Sequence, residues 1–233
     1  MDKVALITAA GSGLGAACAR EFAQLGYRIV VSSSSGKGEA LGRELGGVGI
    51  TASNTSADDI ARLVAQAHQA YGRIDVVVNS CGSVPSGDLL AITDEDWHRG
   101  LDMVMLSVVR MARNVTPIFE AQGGGVIINV STFAAYEPDL VYPVSSALRA
   151  ALGSFAKLYS DRYGPMNIRM NNLLPGYFKT RWPEKEETKQ RIPARRYGRP
   201  EEFAKTAAFL ASDAGSYILG QNIRIDGGVT KSV

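Results

Sequence analysis

A glycine-rich turn near the amino terminus limits what this chain can fold into. Val4–Ile7 is a continuous apolar run too short for a helix, which predicts a strand buried on both faces. The turn of residues 8–15 follows, and apolar residues then recur at helical spacing as far as Gly26, a residue typical of helix ends. The free N–H groups at the start of such a helix favour an anion. An ordinary tight turn is the alternative, but the strand–turn–helix setting favours a nucleotide phosphate.

Composition excludes several classes of protein. The chain has 233 residues and is 45% hydrophobic, which predicts one globular domain spanning 1–233. A net charge of +2 gives no reason to expect a nucleic-acid or membrane partner. No apolar run has transmembrane length and no leader precedes the first strand, so we expect a cytoplasmic protein. Neither Cys18 and Cys81 nor the two histidines have metal-binding spacing, and we expect free thiols and no metal.

Strands and helices alternate along the rest of the chain. The further predicted strands are apolar on both faces and cover 28–31, Val48–Thr51, 74–78, 126–130, 168–174 and Asn222–Ile225. The predicted helices between and after them cover 39–45, 56–71, 97–121, 144–163 and 201–212. Alternation of this kind predicts an α/β fold with a doubly wound, Rossmann-type parallel sheet between two layers of helices.

Five motifs, in order, resemble those of the short-chain dehydrogenase/reductase family in its single-domain form. Residues 8–15 resemble the family's TGxxxGxG, with Ala9 in place of the first glycine, and residues 79–82 resemble its NNAG. Pro175-Gly176 with Thr180 matches its PGxxxT. Residues 196–202 and 226–228 match motifs of the family's carboxyl-terminal third. The resemblance covers essentially the whole chain. It implies an oxidoreductase that uses NAD(P)(H) on a carbonyl or alcohol substrate.

The same resemblance implies a set of cofactor-binding residues. They are Thr8, Gly11, Ser12, Gly13, Leu14, Gly15, Ser33, Ser34, Asn79, Cys81, Gly82, Arg149, Pro175, Gly176 and Thr180. An acidic residue at the end of the second strand would select NAD, but that position falls near Ser33, and Glu39 is too far along. With Lys37 close by, we expect NADP(H) to be favoured over NAD(H). A solvated loop lysine is an equal alternative for Lys37.

The family's catalytic asparagine, serine, tyrosine and lysine are all replaced. The family's spacing puts Val104, Thr132, Ser145 and Arg149 at these four positions. Thr132 keeps a hydroxyl that could orient a carbonyl, and Arg149 keeps a charge that could hold ribose hydroxyls. Ser145 is the serious loss, because an alkoxide is a far poorer proton carrier near neutrality than a phenol.

Tyr142 is the candidate replacement for the missing proton donor. It precedes Ser145 by one helical turn, and Pro143 suits the first turn of that helix. The alternative is that Tyr142 only lines the mouth of the pocket. Two functions therefore stay open: an oxidoreductase with an atypical proton donor, and a non-catalytic, cofactor-binding sensor or oligomer partner. Non-redox chemistry is disfavoured, because the glycine turn, Asn79 and Thr180 make sense only if a dinucleotide binds.

We also expect a homodimer or homotetramer acting on a small molecule. The helices 97–121 and 144–163 are the expected contact, because family members commonly pair them. The second of these helices carries small residues that allow close approach, namely Ala147, Ala150, Ala151 and Gly153. Basic residues outnumber acidic ones in 177–196, which fits either an acidic substrate or a solvated helix. Substrate identity does not follow from the sequence.

Overall fold

Seven parallel strands form one sheet in the computed structural model, which describes residues 2–180 and 183–232. The strands are β1 (Val4–Ile7), β2 (Arg28–Ser33), β3 (Val48–Thr51), β4 (Val76–Asn79), β5 (Gly125–Val130), β6 (Ile168–Pro175) and β7 (Asn222–Ile225). Their order across the sheet is β3-β2-β1-β4-β5-β6-β7. The order reverses between β1 and β4, and ligands of open α/β sheets bind at such a reversal. The predicted doubly wound parallel sheet is confirmed.

Helices cover both faces of the sheet. They are α1 (Gly13–Gln24), α2 (Lys37–Glu44), α3 (Ala57–Tyr71), α4 (Asp94–Leu101), α5 (Ser107–Gln122), α6 (Pro143–Tyr163), α7 (Glu186–Arg191) and α8 (Pro200–Ala211). Helices α3, α5 and α6 enclose one apolar core, and α1, α2 and α8 enclose the other. Leu6 belongs to the first core and its neighbour Ile7 to the second. This alternation explains why the strands are apolar throughout.

The helix predicted over 97–121 differs from the structure in two ways. It begins earlier, at Asp94, because the Thr93 hydroxyl accepts a hydrogen bond from the Asp96 N–H at 3.2 Å and caps α4. It is also interrupted by a π-helical turn, Asp102–Leu106, before α5 begins. Val104, which family spacing predicts at the position of the helix asparagine, is buried in this turn. Such π-turns are frequent at functional sites.

The stretch predicted as irregular after Gly176 contains the short helix α7. It has only 6 residues, too few to show apolar periodicity.

In residues 2–180 and 183–232, no helix is long and apolar enough to cross a membrane. The same residues hold no cluster of three or more His, Cys, Asp or Glu side chains able to bind a metal. Both cysteines are free thiols, and burial raises the pKa of Cys18 to about 12.

Candidate active site

The predicted phosphate turn connects β1 to α1 and leaves helix amides open. Gly13 is the first residue of α1 and has a φ of +59°, a region that glycine adopts without strain. A Cβ on Gly15 would lie 2.9 Å from the Ala9 carbonyl oxygen, so only glycine fits there. Within the described part of the chain, the side chain of Ser12 does not cap the helix. The first N–H groups of α1 are therefore available to a phosphate.

A network around Thr8 joins this turn to the loop after β4. The Thr8 hydroxyl donates to the Ser80 carbonyl at 2.9 Å and accepts from the Ser80 N–H at 3.0 Å. The Asn54 amide donates to the same carbonyl. A cavity of about 300 Å³ lies between the joined loops, and its lining includes Gly11, Ser12, Ser33, Ser34, Ser35, Lys37, Cys81 and Gly82. Thr8 thus shapes the cavity by holding its two walls together.

The end of β2 forms the far wall of this nucleotide cavity. The Ser33 hydroxyl accepts from the Gly38 N–H at 2.8 Å and donates to the Ser35 carbonyl. A Cβ on Gly11 would lie 3.0 Å from the Cβ of Lys37, so α2 begins directly against the glycine turn. The exposed side chains of Ser34 and Lys37 therefore stand at the cavity wall where sequence predicts an adenosine ribose.

Four asparagine side chains form a ladder across the carboxyl-terminal half of the sheet. Asn79, Asn129, Asn172 and Asn222 occupy paired positions on β4, β5, β6 and β7. Each Nδ2 donates to the next Oδ1, at 2.9, 2.8 and 2.7 Å in turn. Sequence reasoning assigned Asn79 to the cofactor but missed its ladder partners. The available signal was an asparagine at or near the carboxyl end of three predicted strands and another, Asn222, at the start of the fourth.

The ladder also corrects the prediction made for Gly153. A Cβ on this residue would lie 2.9 Å from Nδ2 of Asn222, so Gly153 faces the sheet and lets α6 approach the ladder. Its predicted place on an oligomer surface is wrong. Ala147, Ala150 and Ala151 are exposed and remain available for that surface.

Arg149 connects three parts of the candidate site. Its Nε donates to the Ser145 hydroxyl at 3.2 Å, one Nη donates to the Val130 carbonyl, and the other lies 3.0 Å from Sγ of Cys81. The guanidinium is buried, with 8% of the residue exposed. Three of its five N–H groups are used by these contacts, which leaves two for ribose hydroxyls. The structure therefore brings Arg149, Ser145 and Cys81 together.

Thr132 and Tyr142 mark the two ends of the connection between β5 and α6. The Thr132 hydroxyl accepts from the Ala134 N–H at 3.3 Å and caps the short 3₁₀ turn Phe133–Ala135. Within residues 2–180 and 183–232 its own proton has no acceptor and is available to donate. Tyr142 directly precedes Pro143, the first residue of α6, and is half exposed. Among the described residues, the contacts of Arg149 do not include Tyr142.

The segment after Pro175-Gly176 packs against the connection between β5 and α6. The Tyr177 ring packs 5.6 Å from Phe133 and 6.0 Å from Tyr197, and burial raises the pKa of its phenol. Sequence reasoning missed Tyr177, although it directly follows the Pro-Gly motif. Thr180 faces the glycine turn, since a Cβ on Gly13 would lie 3.7 Å from its methyl group.

Three basic residues of the segment 177–196 form ion pairs within the protein. Lys179 and Lys189 form ion pairs with Glu184, and Arg196 pairs with Glu202. Arg181, which contributes to the basic excess, lies outside the described residues. Lys185, Arg191 and Arg195 form no ion pair within the described residues, so an acidic substrate and a solvated segment both stay open.

The sequence as a whole matches known proteins with this fold and site. A family model described as enoyl-(acyl carrier protein) reductase matches residues 8–230. The chain belongs to the short-chain dehydrogenase/reductase family. The relatives are named as oxidoreductases of this family, and the chain is likewise an NAD(P)-dependent oxidoreductase.

Two curated relatives are similar over nearly the whole chain. Dehydrogenase/reductase SDR family member 4 from Pongo abelii is 36% identical, across 97% of this chain and 87% of its own length. The 3-oxoacyl-[acyl-carrier-protein] reductase of Thermotoga maritima is 34% identical, across 97% of each protein. These matches show the family over its full domain rather than a shared nucleotide motif alone.

Two solved structures have the same fold. L-sorbose reductase from Gluconobacter frateurii, complexed with NADPH and L-sorbose, is 27% identical with a TM-score of 0.91, covering 100% of this chain and 98% of that one. The 3-ketoacyl-(acyl-carrier-protein) reductase of Brucella melitensis, complexed with NADH, is 27% identical with a TM-score of 0.93, covering 97% and 98%. The neighbours thus include complexes with either dinucleotide.

In this dehydrogenase/reductase, Val104 and Arg149 line one small cavity. Its volume is about 10 Å³, and its lining also includes Asn79, Cys81 and Asn129. A cavity of this size holds about one water molecule. Two of the four positions located by family spacing therefore lie against the same space, next to the end of the asparagine ladder. That these positions mark a substituted tetrad stays a prediction.

Proposed function

We propose that this protein binds NADP(H) and interconverts a carbonyl compound and an alcohol with an atypical proton donor. The observation that carries the proposal is the position of Arg149, which links Ser145 to Cys81 at the edge of the nucleotide cavity. The uncapped N–H groups at the start of α1 fit a dinucleotide's phosphates, and so does the tight packing of Gly15 against the Ala9 backbone, which holds the turn close to the helix. When bound, the nicotinamide supplies or accepts the hydride.

The chain's own residues divide the remaining tasks. Arg149 holds the ribose with its two unused N–H groups, and Thr180 lies across from the glycine turn to contact the dinucleotide. The Thr132 hydroxyl, whose proton is free, orients the substrate oxygen. Ser145 cannot carry the proton readily near neutral pH. The phenol of Tyr142, which directly precedes α6 and lies three residues before Ser145, is the proposed donor.

Replacing Tyr142 by phenylalanine tests the donor. Loss of a general acid reduces turnover by roughly 10²–10⁴-fold, so we expect that fall in kcat with NADPH affinity nearly unchanged. Turnover of a carbonyl panel is measured at saturating NADPH, with Kd from fluorescence titration. Tyr136→Phe is the matched control, because Tyr136 is equally exposed on the same connection.

The outcomes distinguish three readings of the site. Equal kcat in Tyr142→Phe would leave a solvent water as the donor. If the unmodified protein bound NADPH tightly but turned over no carbonyl or alcohol, the second candidate function would be favoured, a non-catalytic cofactor-binding protein. The specific observation behind this second candidate is Ser145 at the tyrosine position, hydrogen-bonded to Arg149.

The proposed preference for NADP(H) depends on Lys37. Its side chain and that of Ser34 stand at the wall of the nucleotide cavity, and no carboxylate lies between Ser33 and Lys37 to repel a 2′-phosphate. We expect Lys37→Ala to raise the Kd for NADPH about fivefold, because an exposed ion pair contributes up to about 1 kcal/mol. The Kd for NADH should not change, and Lys205→Ala serves as the exposed control. Equal Kd values for NADPH and NADH in the unmodified protein would contradict the preference.

We further propose that α5 and α6 form the contact of a homodimer or homotetramer. A groove of about 580 Å³ between these helices is lined by apolar side chains such as Phe155 and Leu158, and by Arg113, Arg162 and Glu120. Charges of both signs beside an apolar strip suit a two-fold contact with a second copy of the chain. Leu158, which is 66% exposed, should be covered in that contact.

Light scattering checks this assembly. We expect a dimer or tetramer mass for the unmodified protein and a shift toward monomer for Leu158→Lys, because the contact would then bury an added positive charge beside Arg113 and Arg162. Leu25→Lys, at another exposed leucine at the end of α1, is the control. A monomer mass for the unmodified protein across a wide concentration range would refute the proposal.

A further inference from the structure

The last residues of the described chain are turned back toward the site by Asp226. Its carboxylate accepts hydrogen bonds from the Gly228 N–H at 2.9 Å, from the Thr230 N–H at 3.0 Å and from the Thr230 hydroxyl. Gly227 and Gly228 have φ values of +66° and +86°, which glycine adopts without strain. The turn therefore fixes the direction in which residues 230–232 leave β7.

These residues are bound by the connection between β5 and α6. The N–H groups of Lys231 and Ser232 both donate to Oε1 of Glu137, at 2.5 and 2.7 Å. Chiefly the Ser232 N–H holds the pKa of the Glu137 carboxyl below its usual value. Arg224 donates to the Ser232 carbonyl at 2.6 Å, and its guanidinium lies 5.3 Å from the centre of the Tyr136 ring. Glu137, Arg224 and residues 230–232 are called the tail clamp below.

The connection held by the tail clamp is the one that carries the proposed substrate-side residues. It runs from Thr132 to Tyr142, and Glu137 lies midway between them. Leu140 and Val141 in this connection are 79% and 58% exposed, so burial does little to hold its second half. That half is anchored through the Asp139 N–H, which donates to the Ser146 hydroxyl at 3.2 Å. The tail clamp supplies the anchor in the middle.

We propose that Glu137 is a positioning residue, which sets the places of Thr132 and Tyr142 for the substrate by binding residues 230–232. The inference rests on the proposed function, because it deepens the account of the same site. The nucleotide cavity is lined by the loops after β1, β2, β3 and β4 and by Met103 of the π-helical turn, and its lining includes no residue of this connection. Loss of the tail clamp therefore affects the substrate and leaves cofactor binding intact.

Hydrogen exchange tests whether the tail clamp orders the connection. Glu137→Ala removes the acceptor, and we expect faster amide exchange across 133–142. Glu137→Gln keeps an oxygen at the acceptor position and should restore most of the protection. Lys231→Pro removes one donor from the other side of the contact without changing Glu137. Glu201→Ala, at an exposed position on α8, is the control. Unchanged exchange of 133–142 in both Glu137→Ala and Lys231→Pro would refute the clamp.

Steady-state kinetics test the positioning role. Misplacement of a substrate-side group by about 1 Å can cost about 10²-fold, so we expect kcat/KM for a carbonyl substrate to fall about 10- to 100-fold in Glu137→Ala. The Kd for NADPH should stay within about twofold, since a positioning role acts on the substrate alone. Glu137→Gln should recover most of the lost kcat/KM.

The two measurements separate the possible failures. Faster exchange with unchanged kcat/KM would overturn the positioning role of Glu137. Absence of any turnover in the unmodified protein would overturn the proposed function and the positioning role with it. In that case the exchange data still decide whether the tail clamp holds the connection.

Discussion

Replacement of Gly13 by leucine is expected to abolish NADPH binding while the sheet stays folded. Gly13 opens α1 with a φ of +59°, and its Cβ would point toward the methyl group of Thr180, 3.7 Å away. A branched side chain there fills the space between the glycine turn and Thr180, where the dinucleotide must lie. Fluorescence titration with NADPH measures the loss, and circular dichroism checks that the fold is retained.

Gly26→Leu provides the matched control for backbone strain. Gly26 also has a positive φ, +83°, and no atom lies within 4 Å of a Cβ built on it. A side chain in this region costs roughly 1–2 kcal/mol wherever it occurs. Gly26→Leu should therefore lose stability but keep its affinity for NADPH. Unchanged affinity in a folded Gly13→Leu variant would show that the dinucleotide binds elsewhere.

Asn129→Leu should cause a large loss of stability. Asn129 is 1% exposed and bonds to Asn79 on one side and Asn172 on the other. Leucine would leave the Asn79 amide group and the Asn172 carbonyl without these partners in the interior. Each buried polar group left unpaired costs about 1–3 kcal/mol, so the free energy of unfolding should fall by roughly 2–6 kcal/mol. Urea denaturation measures this loss.

Asn222→Leu shows whether the loss scales with the number of partners. Asn222 ends the ladder on the edge strand β7 and accepts only from Asn172. Its replacement removes one of the two acceptors of the Asn172 amide, which keeps only a 3.5 Å contact with the Leu152 carbonyl. Asn222 is also less buried than Asn129. We expect a cost of about 1–3 kcal/mol. A loss as large as that of Asn129→Leu would contradict the ladder as the source of the effect.

The sheet could be predicted from the sequence because its strands are buried on both faces. Val4–Ile7 and Val48–Thr51 were predicted with the bounds that the structure has. The ends of β4 and β6 were less accurate, since β4 includes Asn79 and β6 includes Pro175. A polar residue at the end of an apolar run is predicted as part of a loop unless its hydrogen-bond partner on the next strand is known. For Asn79 that partner is Asn129, which the sequence alone does not identify.

The candidate site was predictable where a motif fixes the local chain. The glycine turn, Thr180 and the pair formed by Arg149 and Ser145 all depend on spacing along the sequence. The π-helical turn was missed, because a single extra residue in one turn barely disturbs helical periodicity. The tail clamp was missed for another reason: Glu137 and Ser232 are far apart in the chain, and nothing in local composition pairs them.

The asparagine ladder has a direction, which couples its members. The Nδ2 atoms of Asn79, Asn129 and Asn172 each donate to the Oδ1 of the next asparagine in the direction of β7. Turning one amide by half a rotation would set two nitrogens, or two oxygens, against each other inside the protein. The four amides are therefore coupled, and only the observed direction also lets the Asn172 Nδ2 donate to the Leu152 carbonyl at 3.5 Å. Asn79 lies next to the loop that borders the nucleotide cavity. The orientation of its side-chain amide is therefore set by a series of hydrogen bonds that reaches Asn222 on β7, whether or not a ligand is bound.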